Sequence, residues 1–136
     1  MTGCIQELAN GGYFKTSSNP IYTKKMFYVS RCYRYEKPQA GRQREFTQLG
    51  LEIISTDPDR QQYIDESKSL LIEFLDTIGV EYSFNDSAKR GLTYYVQDGF
   101  EVECSKLGAQ KQIAGGGNYK EGVGFGIGLE RLLLAL

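Results

Sequence analysis

Seven cationic residues, Lys24, Lys25, Arg31, Arg34, Lys37, Arg42 and Arg44, crowd a stretch that holds a single acid, Glu36, in a chain whose net charge is only −1. Positive charge this local suits a compact polyanion such as a polyphosphate better than a long nucleic-acid backbone. Just downstream, strand alternation places Gln48 and Glu52 on one face with Phe46, Gly50 and Ile54, and sends Thr47, Leu49, Leu51 and Ile53 to the other. An amide and a carboxylate around a glycine could hold an amino acid beside the polyanion; a solvated outer face would read the same way. Gly122 to Gly128 has glycine at every second position, so one face of that strand is bare while Val123, Phe125 and Ile127 pack behind it. A flat ligand or another backbone could lie on the bare face. Arg131, in the first turn of the helix that must follow, could stack its guanidinium on a planar ring such as adenine. A tight helix-on-sheet contact and an ordinary salt-bridging arginine are the plainer readings of these last two features.

The 136 residues include no histidine, which removes the usual general base near neutral pH and every Ser-His or Cys-His nucleophile scheme. Chemistry must then rest on carboxylates, cations, a bound metal or positioning. Cys4, Cys32 and Cys104 are odd in number and widely spaced, so neither a disulfide framework nor a zinc site is expected, and they read as small buried hydrophobes. The length fits one domain over residues 1–136, short for an enzyme holding two substrates, which suggests a second copy or a partner chain. The longest apolar run, Leu132 to Leu136, cannot span a bilayer, and the first residues show no signal-peptide pattern; a cytoplasmic chain without membrane contact is expected.

The elements that must position these groups can be traced. Met26 to Ser30 and Arg31 to Tyr35 read as strand, Lys37 to Arg44 as a loop, and Phe46 to Ile54 as the returning strand. Asp57-Pro58 resembles an N-cap with proline at the first helical position, opening a helix of about six turns that ends at Gly79. From Glu45 to Asp86 ten acids face two bases, read as a solvated helix surface and not as metal ligands. Strand returns around Phe100, Val102 and Cys104, again before Ala114 to Tyr119, and at Gly122 to Gly128, followed by a helix over Leu129 to Leu136. The exposed sheet edge and the leucines of that last helix argue for self-association or docking on another chain.

Tyr33 to Arg42 with Arg44 to Glu52 resembles motif 2 of the histidyl-tRNA synthetases. Arg90-Gly91-Leu92-Thr93-Tyr94-Tyr95 resembles their histidine-binding signature, Gly126 to Leu132 is similar to motif 3 of class II synthetases, and Leu107 to Gln110 with Gly115 to Gly117 resembles the strand pair before it. The resemblance covers nearly the whole chain. It implies an α+β fold, the class II antiparallel sheet flanked by helices in a truncated, minimal form, which binds histidine and ATP and forms histidyl-adenylate. By the resemblance, Arg34 and Arg90 would be catalytic, Arg34 on the α-phosphate and Arg90 on the same phosphate from the amino-acid side. Glu36, Arg42 and Arg131 would join Arg34 in holding ATP, with Mg2+ accompanying the nucleotide and no protein metal site. Thr2, Gln48, Glu52, Tyr94 and Tyr95 would hold histidine.

Motif 1, the insertion and the anticodon-binding domain of the family have no counterpart in the sequence, and Thr93, Thr47 and Lys120 replace a usual Asp, His and Asp. Weak, salt-sensitive tRNA contact through Lys24, Lys25, Arg31, Arg42 and Arg44 is the most the basic loop implies. Two other readings stay open: a noncatalytic histidine-sensing paralogue resembling the regulatory subunit of ATP phosphoribosyltransferase, and a ligase that charges an acceptor other than tRNA.

Overall fold

The computed structural model describes residues 21–35, 37, 43–88 and 99–136. They build one six-stranded, fully antiparallel sheet with two helices: β1 (Thr23–Tyr33), β2 (Glu45–Ser55), α1 (Gln61–Ile78), β3 (Ser83–Ala88), β4 (Gly99–Glu103), β5 (Gln112–Tyr119), β6 (Gly122–Gly128) and α2 (Leu129–Ala135). The strand order is β1-β2-β6-β5-β4-β3. Strand β6 therefore lies between β2 and β5 and brings the alternating glycines beside the Gln48 and Glu52 strand.

The first two strands pair over their whole length, from Thr23 opposite Ser55 to Tyr33 opposite Glu45, and the Arg34 amide continues the ladder to the Arg44 carbonyl at 2.7 Å. What reads from sequence as two runs, Met26 to Ser30 and Arg31 to Tyr35, is one strand that ends at Tyr33. The polar segment Ser83–Ala88, which carries little strand signal, is held as an edge strand by β4.

The helical segment starts later than its sequence suggests. Asp57 does not cap it: its carboxylate accepts the Asp59 amide at 2.9 Å, and Asp59 in turn accepts the Gln61 amide at 3.1 Å. Two successive side-chain-to-backbone turns thus take up the residues around Pro58, and Arg60 is the N-cap. The Arg60 guanidinium donates to the carbonyls of Glu121 at 3.2 Å and Lys120 at 3.3 Å, tying the helix start to the β5–β6 turn. At the other end Gly79 takes the left-handed conformation, φ 75°, that closes the helix as expected.

Both helices lie against one sheet face. Leu71 and Leu75 of α1 and Leu132 and Ala135 of α2 meet Phe100, Val102, Ala114, Phe125 and Ile127 in the main core. Ile53, Val123 and Tyr63 form a second cluster nearer the start of α1. Truncating a fully buried leucine such as Leu71 removes about 2–5 kcal/mol. The opposite face of the central strands carries the polar side chains and the glycines. Phe27, Val29 and Tyr33 on edge strand β1 stay exposed, as do Leu133, Leu134 and Leu136 on and just beyond α2.

Candidate active site on the glycine-bared sheet face

Strand alternation lines Phe46, Gln48, Gly50 and Glu52 along the face away from the helices. Tyr28 stands opposite Gly50, Gly126 on its other side, and Gly124 beside Glu52. The even face of β2 is not a plain solvated face, since Glu52 on it is only 4% exposed. From Phe46 to Glu52 is about 20 Å at the usual strand rise, enough for two ligands side by side.

The alternating glycines have a more specific use than a bare platform. A Cβ on Gly124 would coincide with the Glu52 carboxylate, one on Gly126 with the Gln48 amide, and one on Gly50 with the Tyr28 ring. Each glycine therefore makes room for a polar or aromatic side chain that folds inward from the neighbouring strand. At Gly128 the space is open, with no atom closer than 4.0 Å to a Cβ built there.

At one end of the face, Tyr119 of β5 reaches across β6 and donates its hydroxyl to Glu52 Oε2 at 2.5 Å. Burial pushes the Glu52 carboxyl up from 4.5 to about 7, and the Tyr119 bond pulls only partly against it. A carboxyl so placed is a recurrent mark of a functional site. Next along, Gln48 Nε2 donates to the Tyr28 hydroxyl at 2.7 Å, while Cys32 Sγ lies 3.7 Å from Gln48 Oε1. Cys32 is half-buried and faces this amide, whereas Cys104 is fully buried as a plain core residue; Cys4 lies outside the described residues.

At the other end the Arg34 guanidinium lies over the Phe46 ring, 4.7 Å from its centroid. Arg131 donates through Nη1 to the Gln112 carbonyl at 2.9 Å, so part of its guanidinium is engaged with β5 instead of standing free over the glycines. Its neighbour Glu130 accepts the Thr47 amide on both carboxylate oxygens at 2.8 Å, just where β2 runs past the last β6 pairing at Gln48 and Gly128. Desolvation pushes the Glu130 carboxyl up, but hydrogen bonds from backbone amides outweigh it and hold it below its ordinary value.

Arg34, Gln48, Glu52 and Arg131 are thus the expected site residues that the structure describes; Thr2, Glu36, Arg42, Arg90, Tyr94 and Tyr95 lie outside the described residues. Sequence reasoning passed over Tyr28, Phe46, Tyr119 and Glu130. Tyr119 shares the parity of Gly117 and becomes a partner of Glu52 only once β6 is known to separate β5 from β2. Among the described residues no group of three or more His, Cys, Asp or Glu side chains is gathered to hold a metal.

A family model, tRNA synthetase class II core domain (G, H, P, S and T), matches residues 15–123. The chain belongs to the class II tRNA synthetase core family. Within it, the chain is similar to the histidine–tRNA ligase of Prosthecochloris aestuarii, 25% identical over 90% of this chain and 52% of the relative, and to that of Halothermothrix orenii, 28% identical over 85% and 52%. This class II core spans about half the length of those relatives. The first alignment runs over 223 positions against 136 residues here, so the relative carries internal segments that this chain lacks. In three dimensions the fold is similar to part of a pyrrolysyl tRNA synthetase from Desulfitobacterium hafniense, with a TM-score of 0.62 over 98% of this chain and 48% of that one, at 21% identity. The class II fold expected from the motifs is present: an antiparallel sheet with helices packed on one face.

Proposed function

We propose that the chain binds histidine and ATP side by side on the glycine-bared face and joins them into histidyl-adenylate. The observation that carries this reading is Glu52, a buried carboxyl on the sheet face away from the helices, held by Tyr119 and beside Gln48. Burying a carboxyl costs stability unless something is gained, and a cationic ligand group that draws off its proton is a direct gain. Likeness to the histidine–tRNA ligases supplies the choice of amino acid.

In this reading a histidine carboxylate oxygen attacks the α-phosphorus, the bond to the bridging oxygen of the β-phosphate breaks, and pyrophosphate leaves. No protein nucleophile takes part; the protein aligns the two groups and neutralises charge on the phosphate oxygens. Arg34 is the described cation for the α-phosphate, with Arg90 on the side of the amino acid. Arg131, Glu36 and Arg42 belong to the nucleotide end, and Mg2+ travels with the ATP phosphates as part of that substrate. Gln48 and Glu52 hold the amino acid with Thr2, Tyr94 and Tyr95. Weak tRNA contact and self-association through the Phe27, Val29 and Tyr33 stripe belong to the same proposal.

Calorimetric titration tests the binding half: histidine and ATP each saturate the chain, and Glu52→Ala removes the histidine response while leaving ATP in place. A chain that binds neither would overturn the reading.

A further inference from the structure

We propose that Tyr28 is a positioning residue that sets the orientation of the Gln48 amide, and through it the amino-acid affinity of the site. The inference rests on reading Gln48 as a contact to the amino acid. Tyr28 stands opposite Gly50, and because Gly50 has no side chain the phenol folds inward over its backbone, where a Cβ would overlap the ring. Lying there, its hydroxyl accepts Gln48 Nε2 at 2.7 Å, while the Cys32 thiol approaches Oε1 from the other end of the amide at 3.7 Å.

A side-chain amide has two N–H groups and two carbonyl lone pairs, and a half-turn about its last bond exchanges donor for acceptor. The phenol takes one N–H and the thiol, a weak donor, addresses the oxygen, so both ends of the amide are engaged in the orientation observed. Folded over Gly126, it lies on the same strand as the Glu52 carboxyl folded over Gly124, four residues away on the same face. An amino acid meeting Glu52 with a cationic group would therefore meet Gln48 with its donor and acceptor already assigned. Fixing that choice before binding spares the ligand the cost of ordering it.

Two half-buried polar groups that merely satisfy one another would make the same bond. What differs is the coupling. In Tyr28→Phe the ring stays over Gly50 and only the hydroxyl is lost. With isotope-labelled glutamine side chains, the Gln48 amide signal, recognised by its loss in Gln48→Ala, is expected to shift and broaden in Tyr28→Phe in the free protein, and to do so again in Gly50→Ala, which displaces the ring. In histidine titrations Tyr28→Phe is expected to weaken binding roughly five- to tenfold, the loss of one neutral hydrogen bond, with no effect on ATP and none in a Gln48→Ala background. An unmoved Gln48 signal, or losses that simply add in the double variant, would overturn the proposal. If the unaltered chain bound no histidine, the proposed function would fall, while the amide signal would still decide whether Tyr28 sets Gln48.

Discussion

The Tyr119 hydroxyl and the Glu52 carboxylate meet at 2.5 Å across an intervening strand, over the backbone of β6, where the Glu52 oxygen occupies the space that any side chain on Gly124 would need. The sheet order, the glycine spacing and the raised carboxyl are parts of one arrangement. It has consequences for stability as well as for binding.

Between its ordinary 4.5 and about 7, Glu52 carries a proton in the folded chain that the unfolded chain has already released. The folded state binds more protons over this window, so Glu52 costs stability as pH rises through 7. Glu52→Gln should flatten that slope and stabilise the chain at pH 8 by roughly 2–3 kcal/mol, while abolishing histidine binding. Urea unfolding at about pH 5 and pH 8 checks this; equal slopes in both proteins would refute the raised carboxyl.

A cationic ligand group needs Glu52 ionised, so affinity should rise with pH. With a folded value near 7, the ionised fraction climbs about tenfold between pH 6 and pH 8, and Kd for histidine should fall by about the same factor. Tyr119→Phe removes the bond that opposes desolvation, moving the transition to higher pH. Calorimetry in buffers of different ionisation enthalpy should detect proton release from the protein as histidine binds to the unaltered chain near pH 6, and little of it at pH 8 where Glu52 is already ionised.

Gly124→Ala puts a methyl group where Glu52 Oε2 lies and against the Leu51 carbonyl. Since backbone is involved as well as a side chain, the loss should be about 1–3 kcal/mol, together with loss of histidine binding. Gly128→Ala, where the space is open, serves as the comparison and should leave stability within about 0.5 kcal/mol.

Glu130 holds the Thr47 amide from the second helix, so Glu130→Ala leaves that donor without its carboxylate and should cost about 1–3 kcal/mol. Its carboxyl is held below the ordinary value, so this contribution is present above 4.5 and is lost as pH falls through the folded value. Thermal unfolding of Glu130→Gln, which keeps an acceptor but not the charge, should fall between the two.

Much of this was legible in residue order. Period-2 spacing put Gln48 and Glu52 on one face with Leu49, Leu51 and Ile53 on the other, and Gly79 marked the end of α1. What escaped depended on pairings distant in sequence. Tyr119 is 67 residues from Glu52, and nothing local says that β6 lies between them. Asp57 before Pro58 carries the local signature of a cap, yet its carboxylate is used by Asp59 and by the Gln62 amide, and Arg60 anchors to the β5–β6 turn instead. Ser83–Ala88 is a strand because β4 pairs with it, not because its residues prefer one.

Adenylate formation is read most directly by exchange of labelled pyrophosphate into ATP. Exchange should depend on histidine, fail with other amino acids, and be lost in Arg34→Ala while histidine still binds. No histidine-dependent exchange, or equal exchange with a different amino acid, would contradict the proposed function.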